Sequence, residues 1–309
     1  MKIAIIGAGG VGGNFGARLA AAGEDVTFIA RGAHLEAMRK DGLQVLSALG
    51  DLVLKPARAE SDPAKVGPVD IVFFAVKLWG TEEAAIGAKP LMGPETGIIS
   101  FQNGVDAIPV LTRVLGKQHV MGGVAHIAAL IDRPGVIRHN GTMAKLTFGE
   151  LDGAKSKRAQ RLFEACQRAK IESYLVDDIQ GVIWEKFVFL VGLSGMTSLT
   201  RMPIGPIRDD PVTRELLRDT MGEVVAVARA KGINLPPDVV DRQLKFADGL
   251  PADMVSSMLG DLKRGNRLEV EWLSGAVARL GLEAHVPTPI NRTIYAALKL
   301  WADGAPTIV

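Results

Sequence analysis

Glycines crowd the junction between the first strand and the first helix of this chain, and no other feature restricts its fold as much. Lys2-Ile3-Ala4-Ile5-Ile6 reads as a short buried strand that runs directly into Gly7-Ala8-Gly9-Gly10-Val11-Gly12-Gly13, after which Phe15 to Ala22 has apolar helical periodicity. Glycine inside a helix costs roughly 1 kcal/mol against alanine, so such a concentration at a helix start asks for a reason. The spacing Gly7-x-Gly9-x-x-Gly12, with a strand before it and a helix after it, supplies one. Gly7 permits a tight turn, Gly9 lets a pyrophosphate approach the backbone, and Gly12 lets helix and strand pack closely, with the helix N-terminus facing the anion. Gly7, Ala8, Gly9, Gly10, Val11 and Gly12 are therefore expected to form the dinucleotide loop.

A second strand, Asp25 to Ile29, ends at Ala30-Arg31. NAD binders usually carry an acid about 20 residues past the glycines to hold the ribose 2′-hydroxyl, whereas an arginine suits a 2′-phosphate. No acid stands there and Arg31 does, which favours NADP; the bland alternative is a solvated arginine at a strand end.

The 309 residues suffice for two domains with separate cores, and 48% hydrophobic with 23% charged residues is an ordinary globular balance. A net charge of +2 without a basic cluster gives no reason to expect nucleic acid. Cys166 is the only cysteine, which excludes an internal disulfide and a cysteine metal cage and fits a reducing cytosol; no metal site is expected. The apolar N-terminus is broken by glycines too early for a signal peptide, and no other stretch of about 18 apolar residues predicts a membrane span.

Up to residue 176 strands and helices alternate, the mark of a parallel sheet covered by helices on both faces. Gly42 to Ser47 and Leu52 to Lys55 read as short strands around a turn, and Val69 to Val76 as a buried strand ending at Lys77. Gly97 to Phe101 ends at Gln102-Asn103-Gly104, and Val120 to Ala125 ends near His126. Ligands bind outside the carboxyl ends of such strands, so Lys77, Asn103 and the stretch to Ala128 point to one crevice with the glycine loop. After Ile171 to Val176 the pattern is helical, with breaks expected at Pro203, Pro206, Pro211, Pro236-Pro237, Pro251 and Pro287 to Pro289, and Gly304 to Val309 is expected to fray. The predicted fold class is α/β: a Rossmann-type doubly wound sheet over 1–176 followed by an all-helical domain over 177–309.

Two charged residues interrupt apolar patterns in the helical half. The predicted helix Asp178 to Ser194 is apolar nearly all round, yet Lys186 falls on the stripe of Val182, Ile183 and Leu190. A desolvated ammonium has a lowered pKa and can hand over a proton near neutrality, as carbonyl reduction requires; a snorkelling lysine or a pair with Glu185 is the structural alternative. A second helix, opening around Asp253 and carrying Met258, Leu262, Leu273 and Leu280, would bear Glu269 on its apolar side, with Glu271 solvated and Ser257 able to share the site.

With these residues in view the chain resembles the ketopantoate reductase family (2-dehydropantoate 2-reductases) over nearly its full length. The resemblance rests on Lys2 to Gly12, Ala75 to Trp79, Gln102-Asn103-Gly104, Trp184-Glu185-Lys186, Ser256 to Asp261 and Leu268 to Glu271. It implies Lys186 as proton donor and Glu269 as the partner of the reacting hydroxyl, near the cofactor ribose. It also implies Asn103 against cofactor and substrate, Ser257 on the substrate carboxylate, and Arg31 and Lys77 at the adenosine phosphate end. An interdomain cleft closing on NADPH and a ketoacid, and a homodimer formed through the helical domain, are further implications. The family usually places two asparagines four and eight residues after the lysine; here Leu190 and Ser194 occupy those substrate positions, and Ile204 occupies a later polar one. The expected activity is NADPH-dependent reduction of a 2-oxo acid, ketopantoate first, in the cytoplasm. The alternatives are a D-2-hydroxyacid dehydrogenase of the same family acting on a more apolar 2-oxo acid, and an NADP sensor without catalysis, against which Lys186, Glu269, Asn103 and Ser257 speak.

Overall fold

The structure, a computed structural model, describes residues 1–306, and the chain divides into two compact units. One comprises Met1–Asn103 and Ala107–Ile179; the other comprises Gly104–Asp106 and the chain from Gln180 on.

The first unit opens with β1 (Lys2–Ile6), α1 (Gly10–Ala21), β2 (Asp25–Ile29) and α2 (Gly32–Asp41). It continues with β3 (Leu43–Ser47), β4 (Leu52–Leu54), β5 (Ala59–Glu60), β6 (Ile71–Phe74), α3 (Thr81–Gly87) and β7 (Gly97–Ser100). Then follow α4 (Ala107–Leu115), β8 (Val120–Arg133), β9 (Val136–Glu150), α5 (Lys157–Arg168) and β10 (Glu172–Leu175). The strands form one sheet in the order β4-β3-β9-β8-β7-β6-β1-β2-β5, with β10 also on β9. From β8 to β5 every neighbour runs parallel, with registers such as Ile3↔Val26 and Ile3↔Ile71.

Alternation along these strands separates two cores. Ile3, Ile5, Phe73 and Ile99 pack with Phe15 of α1, while Ala4, Ile6, Val72 and Ile98 pack with Ala85 of α3 and Leu111 of α4. A strand buried on both faces reads as a continuous apolar run, which is why β6 and β7 stand out in the sequence. Phe73 stacks on Phe101 with ring centroids 4.2 Å apart.

The expectation of a strand ending near His126 is corrected: β8 runs on to Arg133 and turns back through Pro134-Gly135 into β9, antiparallel. The outer half of this hairpin is solvent-facing, with Leu130 and Ile131 nearly half exposed, so it lacks the buried-strand pattern. Its signal is the Pro-Gly pair, because Gly135 has φ 79°, as the third position of a type II turn requires.

The sheet curls so far that α1 is enclosed, and Gly12 through Ala17 are all buried. A Cβ on Gly16 would lie 2.6 Å from the Phe28 ring of β2, and one on Gly13 would lie 2.8 Å from Ile137 of β9. Several of the helix-start glycines are thus packing glycines.

The second unit is helical: α6 (Ile179–Thr200), whose first residue closes the first unit, then α7 (Ile204–Asp209), α8 (Pro211–Ala230), α9 (Val239–Asp248), α10 (Ser257–Lys263), α11 (Ser274–Glu283) and α12 (Pro289–Lys299). Among the described residues α6 is the one helix long and apolar enough to cross a membrane, and two thirds of its apolar window is buried within the protein.

Three expectations change. Pro206 does not break the pattern but sits inside the first turn of α7, where its missing N–H has no helical partner to lose, whereas the expected breaks at Pro211 and at Pro287 to Pro289 fall between helices, with Pro211 and Pro289 each beginning one. The helix predicted from Asp253 through Leu280 is two, because Gly265 takes φ 68° after α10 and a single 3-10 turn, Val270–Trp272, precedes α11. The segment around Gly304 is tied down: Ala302 accepts from Leu268 N–H, and Ala305 N–H donates to Gly265. Thr307 to Val309, the end of the tail expected to fray, lie outside the described residues.

Candidate active site

The glycine loop separates into positions the protein itself requires and one it does not. Gly7 has φ 95°, and a Cβ there would lie 2.6 Å from Ala75 backbone. At Gly10 it would lie 2.1 Å from the Ala129 carbonyl of β8, and at Gly12 it would lie 2.3 Å from the Gly7 carbonyl. Gly9 has an ordinary φ of −77°, and a Cβ there meets nothing within 4 Å among the described residues. Neither conformation nor packing accounts for that glycine. It stands immediately before α1, where free N–H groups and the helix dipole favour an anion.

Gly7, Ala8, Gly9, Arg31 and Lys77 line one groove of about 430 Å³, together with His34, Trp79, Glu83 and Ile131. Arg31 follows β2 and caps α2, and Lys77 follows β6, so the groove lies at the carboxyl ends of parallel strands. The Lys77 ammonium lies 5.6 Å from the centre of the Trp79 ring, within cation–π range.

The other residues expected at this crevice do not line the groove. Val11 flanks the loop on α1; Asn103 follows Gln102, which donates to the Val76 carbonyl and to Thr81 Oγ1, both at 2.9 Å, and so ties the end of β7 to the loop after β6. Ala128 is exposed at an irregularity in the β8–β9 pairing, and its neighbours Ala129 and Ile131 meet the glycine loop and the groove instead.

Sequence reasoning missed His34. Its Nε2 donates to the Ala8 carbonyl at 2.9 Å, and its Nδ1 accepts from Gly135 N–H at 3.1 Å. Because the two partners are a backbone acceptor and a backbone donor, the ring is neutral with its proton on Nε2. Burial pushes its pKa down, against a smaller upward pull from Ala8. The ring thereby links the glycine loop to the hairpin turn. Only the hairpin makes this residue conspicuous.

In the helical unit, α6 is largely buried, and Val182, Lys186, Phe189 and Leu190 form a half-open stripe along it. Burial pushes the Lys186 ammonium down to about 8, and the Glu269 carboxylate pulls the other way. Glu185, the other acid considered for Lys186, accepts from Arg242 at 2.9 Å and from Gln243 at 3.3 Å. Glu269 stands at the start of the 3-10 turn, not on a helical stripe, and Glu271 is exposed and accepts from Tyr295.

Leu190 shares the open stripe, but Ser194 is fully buried, with a hydroxyl that has no hydrogen-bond partner among the described residues. Eight residues at about 100° each turn it roughly 80° from Lys186, toward the buried side of the helix. Ile204 is likewise buried. Ser257 is exposed at the first position of α10; Ser256 before it caps that helix and bonds Thr197 of α6 at 2.7 Å, which holds the start of α10 beside α6.

Comparisons with known proteins match the family "Ketopantoate reductase PanE/ApbA" over residues 3–153 and its C-terminal counterpart over 178–302. An uncharacterized oxidoreductase, YkpB of Bacillus subtilis, is 31% identical across 97% of this chain and 99% of its own. A 2-dehydropantoate 2-reductase of Mesorhizobium japonicum is 34% identical across 97% and 96%. A crystal structure of a PanE/ApbA family ketopantoate reductase from Ralstonia eutropha JMP134 superposes with a TM-score of 0.89 at 32% identity, covering 98% of both chains.

Proposed function

The chain belongs to the ketopantoate reductase PanE/ApbA family, and from that premise we propose that it reduces a 2-oxo acid to the 2-hydroxy acid with NADPH, 2-dehydropantoate first among substrates. The observation that carries the reading is Lys186: an ammonium on the open stripe of a buried helix, pushed down to about 8 and acted on by Glu269. A nicotinamide cofactor, when bound, supplies the two electrons as hydride. Lys186 then gives its proton to the oxygen on which negative charge develops as the carbonyl is reduced, and regains a proton from solvent. Glu269 holds Lys186 in the charged, donating form and accepts from the hydroxyl that results.

The first unit, 1–176 in the sequence reading, takes the nucleotide. Gly9 supports this, since the space beside it is what an approaching pyrophosphate needs, and Arg31 and Lys77 supply positive charge for a 2′-phosphate on the same groove. Asn103 and Ser257 are assigned to cofactor and substrate by family resemblance. The second unit, 177–309, takes the ketoacid and forms a homodimer; Leu282 and Leu300, each 79% exposed, support an apolar contact there. The setting is the cytosol, where Cys166, buried and pushed up to about 12, stays a thiol.

Leu190 favours a second reading. An apolar side chain four residues from Lys186 on the open stripe suits a D-2-hydroxyacid dehydrogenase acting on a more apolar 2-oxo acid. NADPH oxidation measured with ketopantoate, phenylglyoxylate and branched 2-oxo acids separates the two by the highest kcat/KM. Absence of turnover with every 2-oxo acid contradicts both.

A further inference from the structure

The groove carries a carboxylate facing the arginine assigned to the phosphate. Arg31 Nη1 donates to Glu83 Oε1 at 3.0 Å. Arg31 comes from the end of β2 and Glu83 from the first turn of α3, so residues 52 apart in sequence meet on one lining. Their side chains are 77% and 74% exposed, so the pair sits in water and is weak enough for a ligand to open. In dinucleotide folds an acid serves the free ribose hydroxyl and an arginine serves the 2′-phosphate. The sequence near β2 offers only the arginine; folding adds the acid from another element.

We propose that Glu83 is a specificity-determining residue that limits the preference for NADPH over NADH. The proposal rests on the nicotinamide-dinucleotide reading of the groove. A 2′-phosphate bound through Arg31 Nη1 has to displace or share the Glu83 carboxylate, and carries like charge beside it. A ribose without the phosphate leaves the ion pair intact and gains an acceptor nearby. Glu83 therefore penalises the phosphorylated nucleotide and tolerates the unphosphorylated one, and the site is poised between the two cofactors.

The test is a set of dissociation constants for NADPH and NADH, measured by tryptophan fluorescence on the full-length protein, for wild type, Glu83→Gln, Arg31→Ala and the double variant. Glu83→Gln should tighten NADPH about three- to tenfold while leaving NADH unchanged or weaker, so that the ratio rises. In the Arg31→Ala background the same substitution should change NADPH less than twofold, about the error of such a ratio. A ratio unmoved by Glu83→Gln overturns the proposal while the cofactor reading stands. Equal shifts for both nucleotides with a lowered melting temperature also overturn it, and make Glu83 only an acid at the start of α3. If wild type binds neither nucleotide, the cofactor reading itself fails and the proposal falls with it.

Discussion

The groove proposed for the nucleotide and the Lys186 stripe are built on opposite terms. The groove is shaped by backbone: Gly7 needs a left-handed φ, Gly10 and Gly12 need room for a neighbouring carbonyl, and Gly9 leaves space the protein does not fill. The stripe is one ammonium on a half-open line of a buried helix, with its pKa set by burial and by Glu269. A backbone-shaped site leaves a fixed spacing in the sequence. A side-chain site leaves only an anomaly, here a lysine among apolar residues, whose partner lies 83 positions away (269 minus 186) and is brought in by the fold.

The largest effect separating the two regions is expected from Lys186→Ala. Turnover should fall by roughly 10²–10⁴, as loss of a positioned acid does, with nucleotide affinity unchanged. With Lys186 as the proposed proton donor, the wild-type rate should be level below its pKa of about 8 and fall as pH rises through it. The variant should lose that inflection; a weakened nucleotide affinity would place Lys186 in the groove's account instead.

Next in size is Gly10→Ala, whose Cβ would lie 2.1 Å from the Ala129 carbonyl. Neither backbone segment can yield cheaply, so the loss of stability in a denaturant titration should be on the order of 3–5 kcal/mol. A change under about 1 kcal/mol would show that the hairpin does not clamp the helix start.

How far each region could be read beforehand follows from the same contrast. The parallel strands were readable because burial on both faces makes them continuously apolar, and β2 was delimited correctly as Asp25–Ile29. The outer hairpin was not, because half its residues face solvent, and with it His34 and the cover over Gly10 stayed hidden. The burial of Ser194 is not legible either, because spacing by eight places a residue near the line of Lys186 but not on the same face. Glu83 could not be paired with Arg31 from sequence, since only the sheet order brings the end of β2 near α3.

A smaller effect is expected from His34→Phe, which leaves Gly135 N–H and the Ala8 carbonyl without their partner and should cost about 1–3 kcal/mol. Burial holds the folded-state pKa of His34 below the usual 6.5, so the unfolded chain takes up the proton first. Its contribution is therefore complete above pH 6.5 and is lost as pH falls below that value, a slope that stability measurements on the variant should lack.

The nucleotide affinity of Gly9→Ala tests most directly whether the glycine loop is shaped for a ligand. The substitution meets no neighbour among the described residues, so stability should stay within about 1 kcal/mol of wild type while the dissociation constant for NADPH rises at least about tenfold. Unchanged affinity in a folded Gly9→Ala protein would contradict the account, because the open space beside Gly9 would then serve no nucleotide.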